Sequence, residues 1–435
     1  MRYKLIILFL FYHIVSFSQD EIYFYKDVDN TLTLKNVKEK EFVLLKDQIN
    51  EGYTNATYWF KIPANQTKTK YIFRFSYDRY NEATLYQGFY QIDKLPNQRY
   101  LTYSFFRDYD VFIKIKPKLH STFPIEFNTE EISLLNQKHQ LIFNCFYYGI
   151  AFLIILYNFF YYILFKDDAF LFYSLFSGFM CFGIFTMDGM LNFYNLSEGL
   201  KDFIMVLNYI LMVYFSSKFV NSYLSLDCYY PKLKKYSYII GALIVVMGTL
   251  YLTLKNYYFL LTLSILVFSL IFTYWIASIL LFNKNIYTKI LVFAESLLLF
   301  SAIDFFILKF IGITVVNIDS ISIKIGAFFE MIILSFGVLY RMKMLIKEND
   351  FMKNEIINYS REIEVLSVNT KDDSNSHSIG NLSIREKEIF DLIVLGKSNK
   401  IIADDLNISI NTVKFHVKNI YGKLNIKSRK EVLKI

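Results

Sequence analysis

Seven long apolar runs between residues 141 and 340 constrain this chain more than any other feature. Each is close to the ~20 residues that an α-helix needs to cross the hydrocarbon core of a bilayer. The runs cover residues 141–165, 169–187, about 203–224, 236–254, 256–283, about 289–308 and about 320–340. The chain is 54% hydrophobic and only 20% charged, which excludes a disordered chain and argues against a single soluble domain. The sequence therefore predicts a seven-helix transmembrane bundle over residues 140–340.

The first eighteen residues have the features of an export signal. Arg2 and Lys4 precede a short apolar stretch at residues 5–15, and Ser16 and Ser18 place small residues before a cut at Gln19. The stretch is short for a span, which favours a removable signal over an uncleaved anchor. Residues 1–18 are therefore predicted to be a signal peptide that places the following segment outside.

Lysines and arginines in the connections give an independent prediction of orientation. With an outside N-terminus, seven crossings put the C-terminus inside, and the inner connections should carry the basic excess. The inner connections contain ten Lys or Arg residues and the outer ones four. We therefore expect a multi-pass protein of the bacterial inner membrane with a cytoplasmic C-terminal domain.

The exported segment, residues 19–139, contains no apolar run long enough to span a membrane. Residues 71–77, 111–115 and 123–127 instead alternate between apolar and other side chains. This period of two, interrupted by turn residues, predicts an all-β sandwich. About 120 residues suffice for one hydrophobic core, and no cysteine falls here, so we expect the fold to form without disulfides.

After residue 340 the last apolar run is expected to continue as a helix. Its apolar residues are spaced alternately four and three apart, with Met342, Asn349, Ile356 and Ile363 at the a positions of a heptad. An Asn at a specifies register in parallel two-stranded coiled coils, so residues 341–366 are predicted to form a coiled coil in a homodimer. A single helix on the membrane surface is the alternative, and residues 367–381 are interpreted as a flexible linker.

Residues 382–435 are predicted to be a small all-α domain. Ser383 and Glu386 form a capping box that opens the first helix, and Ser398 caps the second. A third helix follows after a short turn, from about residue 411 to residue 424. Two helices joined by such a turn, the second one basic, are typical of a helix-turn-helix.

The charge of this last segment indicates what it binds. Residues 382–434 contain eleven Lys or Arg residues and six acidic ones, which gives a net charge of +5 in a chain whose total net charge is +8. Such a concentration of positive charge is an electrostatic footprint for phosphates. Double-stranded DNA is therefore the predicted partner.

The same segment carries a family resemblance along nearly all of its length. The matching residues are Leu382, Arg385-Glu386, Gly396, Ser398-Asn399-Lys400, Ile402-Ala403, Leu406, Thr412-Val413-Lys414, His416-Val417, Ile420-Tyr421, Lys423-Leu424 and Ser428-Arg429. The segment resembles the LuxR/GerE-type DNA-binding domain. One residue departs from the pattern, because Ile401 stands where the family usually has Glu. That Glu would complete a capping box with Ser398, so the second helix lacks this reciprocal cap.

The resemblance implies which side chains contact DNA. The third helix would enter the major groove with Lys414, Phe415 and Lys418 at base edges, and Lys414 and Lys418 share a face because they are four residues apart. The other members of the predicted DNA-binding set are Asn411 and Lys400, together with Thr412, Lys423 and Arg429 near phosphates.

Three carboxyl residues fall inside the apolar runs. Glu295 and Asp304 lie in the sixth and Glu330 in the seventh. Intramembrane carboxyls are costly and usually face the bundle or a cavity. With Asn349 they are candidates for a coupling network that rearranges with signal, and static hydrogen bonding between helices is the alternative.

The membrane and exported parts carry a second resemblance. The matching residues are Tyr148-Gly149, Tyr157-Asn158, Lys166-Asp167, Tyr173, Gly326, Glu330, Ser335, Leu339 and Arg341 in the bundle, and Trp59 to Ile62, Arg74, Leu85-Tyr86 and Phe123-Pro124-Ile125 outside it. They resemble bacterial seven-transmembrane receptors with diverse intracellular signalling modules (7TMR-DISM). This resemblance implies an exported jelly roll similar to carbohydrate-binding modules. Trp59, Arg74 and Tyr86 are candidates for a ligand site there, although Trp59 is expected to belong to the core.

These features predict a membrane-bound one-component receptor and transcription regulator. It would sense an extracytoplasmic ligand, for which the resemblance suggests a carbohydrate, and bind DNA as a homodimer. No catalytic motif, metal site or cofactor site is expected. The alternative is a receptor for carbohydrate or envelope ligands that signals through protein contacts without binding DNA. A transporter or light-driven protein would require a site at mid-membrane.

Overall fold

The computed structural model describes residues 22–46, 48–80, 82–117, 121–194, 196–313, 320–369, 382–426 and 428–432. The chain divides after Arg341 into two compact units. The predicted signal peptide and residues 370–381 of the predicted linker lie outside the described residues.

The exported segment forms two antiparallel sheets. Its strands are β1 (Tyr23–Asp27), β2 (Val43–Leu44), β3 (Thr57–Ile62), β4 (Lys70–Phe75), β5 (Thr84–Gln87), β6 (Tyr90–Ile92), β7 (Leu101–Phe106), β8 (Val111–Ile115) and β9 (Ile125–Thr129). The larger sheet has the order β2-β1-β3-β8-β5-β6 and the smaller one β7-β4-β9. Buried side chains from both sheets form one core, which confirms the predicted β-sandwich.

Aromatic side chains form a large part of this core. On β4, Phe73 and Phe75 are fully buried and their rings lie 5.0 Å apart. Phe60 of β3 contacts Phe123 with ring centroids 5.3 Å apart. Since successive side chains of a strand point to opposite faces, the side chain of Arg74, between the two β4 phenylalanines, lies on the outer face of the smaller sheet.

The membrane part contains seven helices long and apolar enough to cross a bilayer, counted over the described residues. The first five crossings are α2 (Glu130–Phe165), α3 (Asp168–Met187), α4 (Glu198–Leu224), α6 (Pro231–Leu254) and α7 (Tyr257–Leu280). The sixth consists of α8 (Ile286–Ile303), a π-helical turn (Asp304–Leu308) and α9 (Lys309–Ile311), and the seventh is α10 (Ser320–Asn369). Short elements complete this part of the chain: α1 (Leu34–Val37) on the sandwich, a 3₁₀ turn (Met190–Tyr194), and α5 (Leu226–Tyr229).

The first and last crossings are longer than the apolar runs that predict them. Helix α2 begins at Glu130, directly after β9 ends at Thr129. Its first turns contain polar residues that an apolar-run criterion excludes, although such residues form helices readily. Helix α10 continues without a break to Asn369, which confirms the predicted continuation beyond the bundle.

The exported sandwich rests on the outer ends of the helices. Tyr53 stacks on Tyr257 with ring centroids 4.4 Å apart, and Asn192 donates a hydrogen bond to the Arg99 carbonyl at 2.5 Å. The loop at Gly52 approaches the loop after the sixth crossing so closely that a Cβ on Gly52 would lie 2.7 Å from a Gly312 backbone atom. The sandwich and the bundle therefore meet through backbone as well as side chains.

The second unit contains the end of α10 and four shorter helices. These are α11 (Ile384–Val394), α12 (Asn399–Asp405), α13 (Ile410–Lys423) and α14 (Arg429–Val432). Ile389, Ile393, Ile402, Val413 and Ile420 form its core. This arrangement confirms the predicted helix-turn-helix fold.

Candidate nucleic-acid interface and the polar contacts of the bundle

Helix α13 begins immediately after a tight turn. Asn407 takes up a left-handed conformation with φ of 52°, which reverses the chain after α12. The Ser409 side chain then accepts a hydrogen bond from the Thr412 backbone N–H at 3.0 Å. This N-cap holds the start of α13 in place.

One face of α13 is apolar and the other is exposed and basic. Asn411, Lys414 and Lys418 are exposed, and Phe415 is half-buried. The spacing of these four residues places them in one stripe along the helix, here called the basic stripe. The structure thus brings four of the predicted DNA-binding residues to one surface.

Two other predicted residues of α13 point elsewhere. Thr412 is only 2% exposed, and its hydroxyl lies 2.8 Å from that of Ser409. The Lys423 ammonium lies 2.7 Å from the Glu386 carboxylate, whose side chain is completely buried. Both side chains are therefore engaged within the unit rather than in the basic stripe.

The two remaining predicted residues involve helix α12. Arg429 donates to the Asn399 side chain at 3.1 Å and to the Lys397 carbonyl, so it ties α14 to the start of α12. Lys400 is exposed on α12. Ser398 still caps this helix by accepting from the Ile401 N–H at 3.4 Å, although the reciprocal Glu is absent.

Helix α10 packs against the helix-turn-helix through contacts that the sequence did not indicate. The Tyr359 hydroxyl lies 2.9 Å from the Ser383 hydroxyl, and the Lys423 ammonium lies 5.2 Å from the centre of the Tyr359 ring. His416 is fully buried, and its Nε2 lies 3.3 Å from the Glu355 carboxylate. Burial lowers the pKa of His416, whereas the Glu355 carboxylate acts in the opposite direction.

Within a single chain, only part of the predicted heptad seam of α10 is covered by other residues. Tyr359, at a d position, makes the contacts just described. The a-position residues Asn349, Ile356 and Ile363 are exposed. These three side chains, two apolar and one polar, therefore form a solvent-exposed strip on α10.

Seventh-helix residues make polar contacts near both ends of the bundle. At the outer end the Lys324 ammonium lies 2.7 Å from the Asp188 carboxylate and 2.6 Å from the Asn144 side-chain oxygen. At the inner end Arg341 pairs with Asp167 and donates to the Tyr223 carbonyl at 2.6 Å.

Further contacts lie between these ends. Asn158 donates to the Ser335 hydroxyl at 3.1 Å, and the Tyr173 hydroxyl donates to the Met331 carbonyl at 2.6 Å. Asn158, Tyr173 and Ser335 belong to the bundle pattern noted in the sequence, as do Asp167 and Arg341. That pattern therefore marks the side chains that join the seventh helix to the first three.

The predicted coupling residues separate into three places. Glu295 and Glu330 line one cavity in the bundle. Asp304 is 4% exposed at the start of the π-helical turn, and Asn349 lies beyond the membrane on α10. The structure therefore brings together two of the four.

The ligand candidates of the sandwich are divided between its two sheets, with Trp59 and Tyr86 in the larger sheet and Arg74 in the smaller one. Trp59 is 1% exposed, and its ring stacks at 6.4 Å on Tyr86, in a small cluster with Val37 of α1. Arg74 belongs to the smaller sheet and pairs with Glu126 at 2.8 Å. Trp59 and Arg74 do not line a common site.

An exported sandwich, a seven-helix bundle and a cytoplasmic helix-turn-helix together define a transmembrane signalling protein. Family models match all three parts: 7TMR-DISM extracellular 2 at residues 19–136, 7TM diverse intracellular signalling at residues 140–341, and bacterial regulatory proteins of the luxR family at residues 380–435. The chain therefore has the architecture of a 7TMR-DISM receptor with a LuxR-type helix-turn-helix at its C-terminus. It is a multi-pass protein of the inner membrane with its C-terminal domain in the cytoplasm.

Curated relatives match the C-terminal part of this architecture. Fimbriae Z protein of Escherichia coli strain K12 is 35% identical over 96 residues, which are 22% of this chain and 42% of the relative. Oxygen regulatory protein NreC of Staphylococcus epidermidis is 36% identical over 106 residues, 24% of this chain and 45% of the relative. The chain thus spans less than half the length of these relatives. No solved structure matches it.

Proposed function

We propose that the protein is a membrane-bound one-component receptor and transcription regulator that binds DNA through its helix-turn-helix. The basic stripe on α13 carries this proposal. Lys414 and Lys418 make no ion pair with any described residue, so their charge is available to a polyanion. A lysine in the major groove donates to guanine O6 or N7, and a cationic surface binds phosphates by releasing counterions.

The LuxR-family relatives support this proposal by their names. NreC is an oxygen regulatory protein, and a further relative of 33% identity is the HTH-type transcriptional regulator MalT of Vibrio cholerae, matched over 22% of this chain and 10% of that protein. In our proposal the present chain regulates transcription without catalysis, and the input comes from its own membrane domain.

Signal transfer in this proposal uses the seventh helix. Helix α10 is continuous from the bundle into the second unit, and its contacts at Lys324 and Arg341 fix it against the first three crossings. A cue that shifts the bundle would change the position or pairing of α10. The exposed a-position residues of α10 support a homodimer, which would present two helix-turn-helix domains at the spacing of a two-fold DNA site.

The domain roles follow from the same proposal. Residues 19–139 act as the sensor, residues 341–366 as the dimerising helix, residues 367–381 as a linker and residues 382–435 as the DNA-binding domain.

Selection of DNA from a random pool tests the DNA-binding proposal. The fragment from Met342 to Ile435, which contains its own core, should enrich a two-fold sequence, and its affinity should fall steeply with salt. Replacing Lys414 and Lys418 with Ala should relax preference at the contacted bases by about 1–3 kcal/mol per contact. Lys387→Ala, at an exposed position on α11, is the matched control and should retain the preference. Failure to enrich any sequence would overturn the proposal.

A further inference from the structure

A cavity of about 150 Å³ lies within the bundle. The second, third, fifth, sixth and seventh crossings supply most of its wall, and residues 77–79 of the exported sandwich complete it. Apolar side chains such as Phe176, Met180, Met205, Val267 and Phe306 form much of the lining. An apolar cavity of about this volume holds a molecule the size of benzene in other proteins.

Two acceptor atoms in this lining have no donor. The Oε2 atom of Glu330 and the Oδ1 atom of Asn208 are buried, and neither has a hydrogen-bond partner among the described residues. Glu330 is 3% exposed and Asn208 is 5% exposed. A buried polar atom without a partner is rare in native proteins, and its presence calls for an explanation such as a bound ligand.

The charges of the lining indicate the chemistry of such a ligand. Glu295 and Glu330 both line the cavity, and neither is ion-paired with any described residue. Among the described residues, the cation in the lining is Arg79, whose guanidinium lies 3.4 Å from Asp78 and 3.7 Å from Asp202. Carboxyls inside a membrane bundle usually face a partner of opposite charge or a polar cavity.

We propose that this cavity is a ligand site for a small amphiphilic amine, with one apolar group about the size of a benzene ring. The protonated amine donates to Glu330 and Asn208, near Glu295, and the apolar group contacts the phenylalanine and methionine side chains. That binding of this ligand is the signal rests on the proposed function of the protein as a receptor and regulator. Because five crossings and the sandwich share the wall, a bound ligand favours whichever helix arrangement fits it best.

Binding of a fluorinated probe to the full-length protein in lipid nanodiscs tests this proposal. The probe is 4-fluorobenzylamine, followed by ¹⁹F NMR, and excess unlabelled benzylamine separates saturable binding from partition into lipid. We expect saturable binding that Glu330→Gln weakens about tenfold or more, as loss of a hydrogen bond to a charged group predicts. Glu131→Gln, at an exposed position on α2, is the matched control and should bind the probe as the wild type does.

Two further measurements keep the test decisive. Ala302→Leu fills the cavity, which Ala302 lines, and should abolish binding while gel filtration shows a folded protein. The uncharged probe 4-fluorotoluene should bind far more weakly than the amine. Absence of saturable amine binding, equal binding by Glu330→Gln, or equal binding of fluorotoluene would overturn the proposal.

The same nanodiscs separate this inference from the proposed function. Binding of the selected DNA is measured on each preparation both without amine and with saturating benzylamine, and DNA binding is scored as present if it occurs in either condition. DNA binding without amine binding would refute the ligand site alone. Amine binding without DNA binding would refute the regulator alone.

Discussion

Three lysines of α13 lie in different surroundings although they share one helix. Lys414 and Lys418 are exposed on the basic stripe, whereas Lys423 contacts the buried Glu386 and the Tyr359 ring. The family resemblance places Lys423 near phosphate, but it cannot show a contact with Tyr359, which belongs to a separate segment of α10. The structure therefore separates a candidate DNA-contacting pair from a lysine with an internal role.

Replacing Lys423 with Ala should destabilise the second unit. Glu386 has a completely buried side chain and also accepts from the Ser383 N–H at 2.9 Å, so loss of Lys423 leaves its charge without an ion-pair partner. Since Lys423 is itself 20% exposed, we expect a loss of about 1–3 kcal/mol in the free energy of unfolding. Urea unfolding of the fragment from Met342 to Ile435 measures it. An unchanged midpoint for Lys423→Ala, or an equal loss for the control Lys387→Ala, would contradict this role.

His416 gives the second unit a predicted pH dependence. Burial lowers its pKa below the ordinary value, while Glu355 and Glu386 raise it and Arg385 lowers it further. Because the unfolded chain binds a proton more readily than the folded one, stability should fall as pH decreases below about 6.5. Above that pH this contribution should not change.

Imidazole titration by NMR measures this effect directly. In the fragment from Met342 to Ile435 with His377→Gln, the one remaining histidine should titrate below about 6.5. Glu355→Gln should lower that pKa further, since it removes a carboxylate that favours the charged form. A pKa at or above the ordinary value would contradict this prediction, because the carboxylates of Glu355 and Glu386 would then outweigh burial.

At the scale of elements, the meeting of two loops joins the sandwich to the bundle. Gly312 has a φ of 85°, and a Cβ there would lie 2.9 Å from the Glu51 carbonyl carbon. A positive φ favours glycine by itself, so a control must separate this strain from the close approach. Gly88 provides it, because its φ is 63° and nothing lies within 4 Å of a Cβ there.

Gly312→Ala should therefore weaken the docking of the sandwich more than Gly88→Ala destabilises its own turn. We expect an additional cost of about 1–3 kcal/mol, the usual range for overpacking. The apparent melting temperature of the full-length protein in nanodiscs, with protease cleavage of the exported domain as a second readout, measures the difference. Equal effects of the two substitutions would mean that the loops do not restrain each other.

Asn349 is the element-scale test of the homodimer. A polar residue at an a position specifies a parallel pair at a cost in stability, and Asn349 is exposed in the single chain. Asn349→Leu should therefore change the cross-linked species of the full-length protein in membranes toward mixed or higher oligomers. Asn354→Leu, exposed on the same helix but outside the seam, should leave the species unchanged. The same cross-linking pattern for all three proteins would exclude the seam as the dimer contact.

For the whole molecule, the sequence predicted the order of the parts better than their contacts. The seven crossings were predictable because bilayer thickness requires long apolar runs, and the sandwich because strands alternate. The polar start of α2 at Glu130 was not predictable, because a helix outside the membrane does not need a long apolar run. The capping box of Ser383 and Glu386 was predictable because its residues are only three apart in the sequence, and the structure contains it.

Local sequence patterns could not predict which distant residues come into contact. Lys324 and Asp188 are 136 residues apart, and Asn158 and Ser335 are 177 apart, so spacing gives no indication that they meet. The bundle pattern did contain Asn158 and Ser335, but without their pairing. The cavity of Glu295 and Glu330 likewise requires the packed bundle, since the two residues lie on different crossings.

Chromatin immunoprecipitation of the full-length protein from intact cells shows whether the membrane-embedded chain occupies DNA. We expect a limited set of enriched sites that share the sequence selected by the fragment. We expect these sites to be lost in the Lys414→Ala, Lys418→Ala protein and retained in Lys387→Ala, at equal protein levels in the membrane. No enriched sites with the wild-type protein, or the same sites with the double variant, would contradict this expectation and favour a receptor that signals through protein contacts.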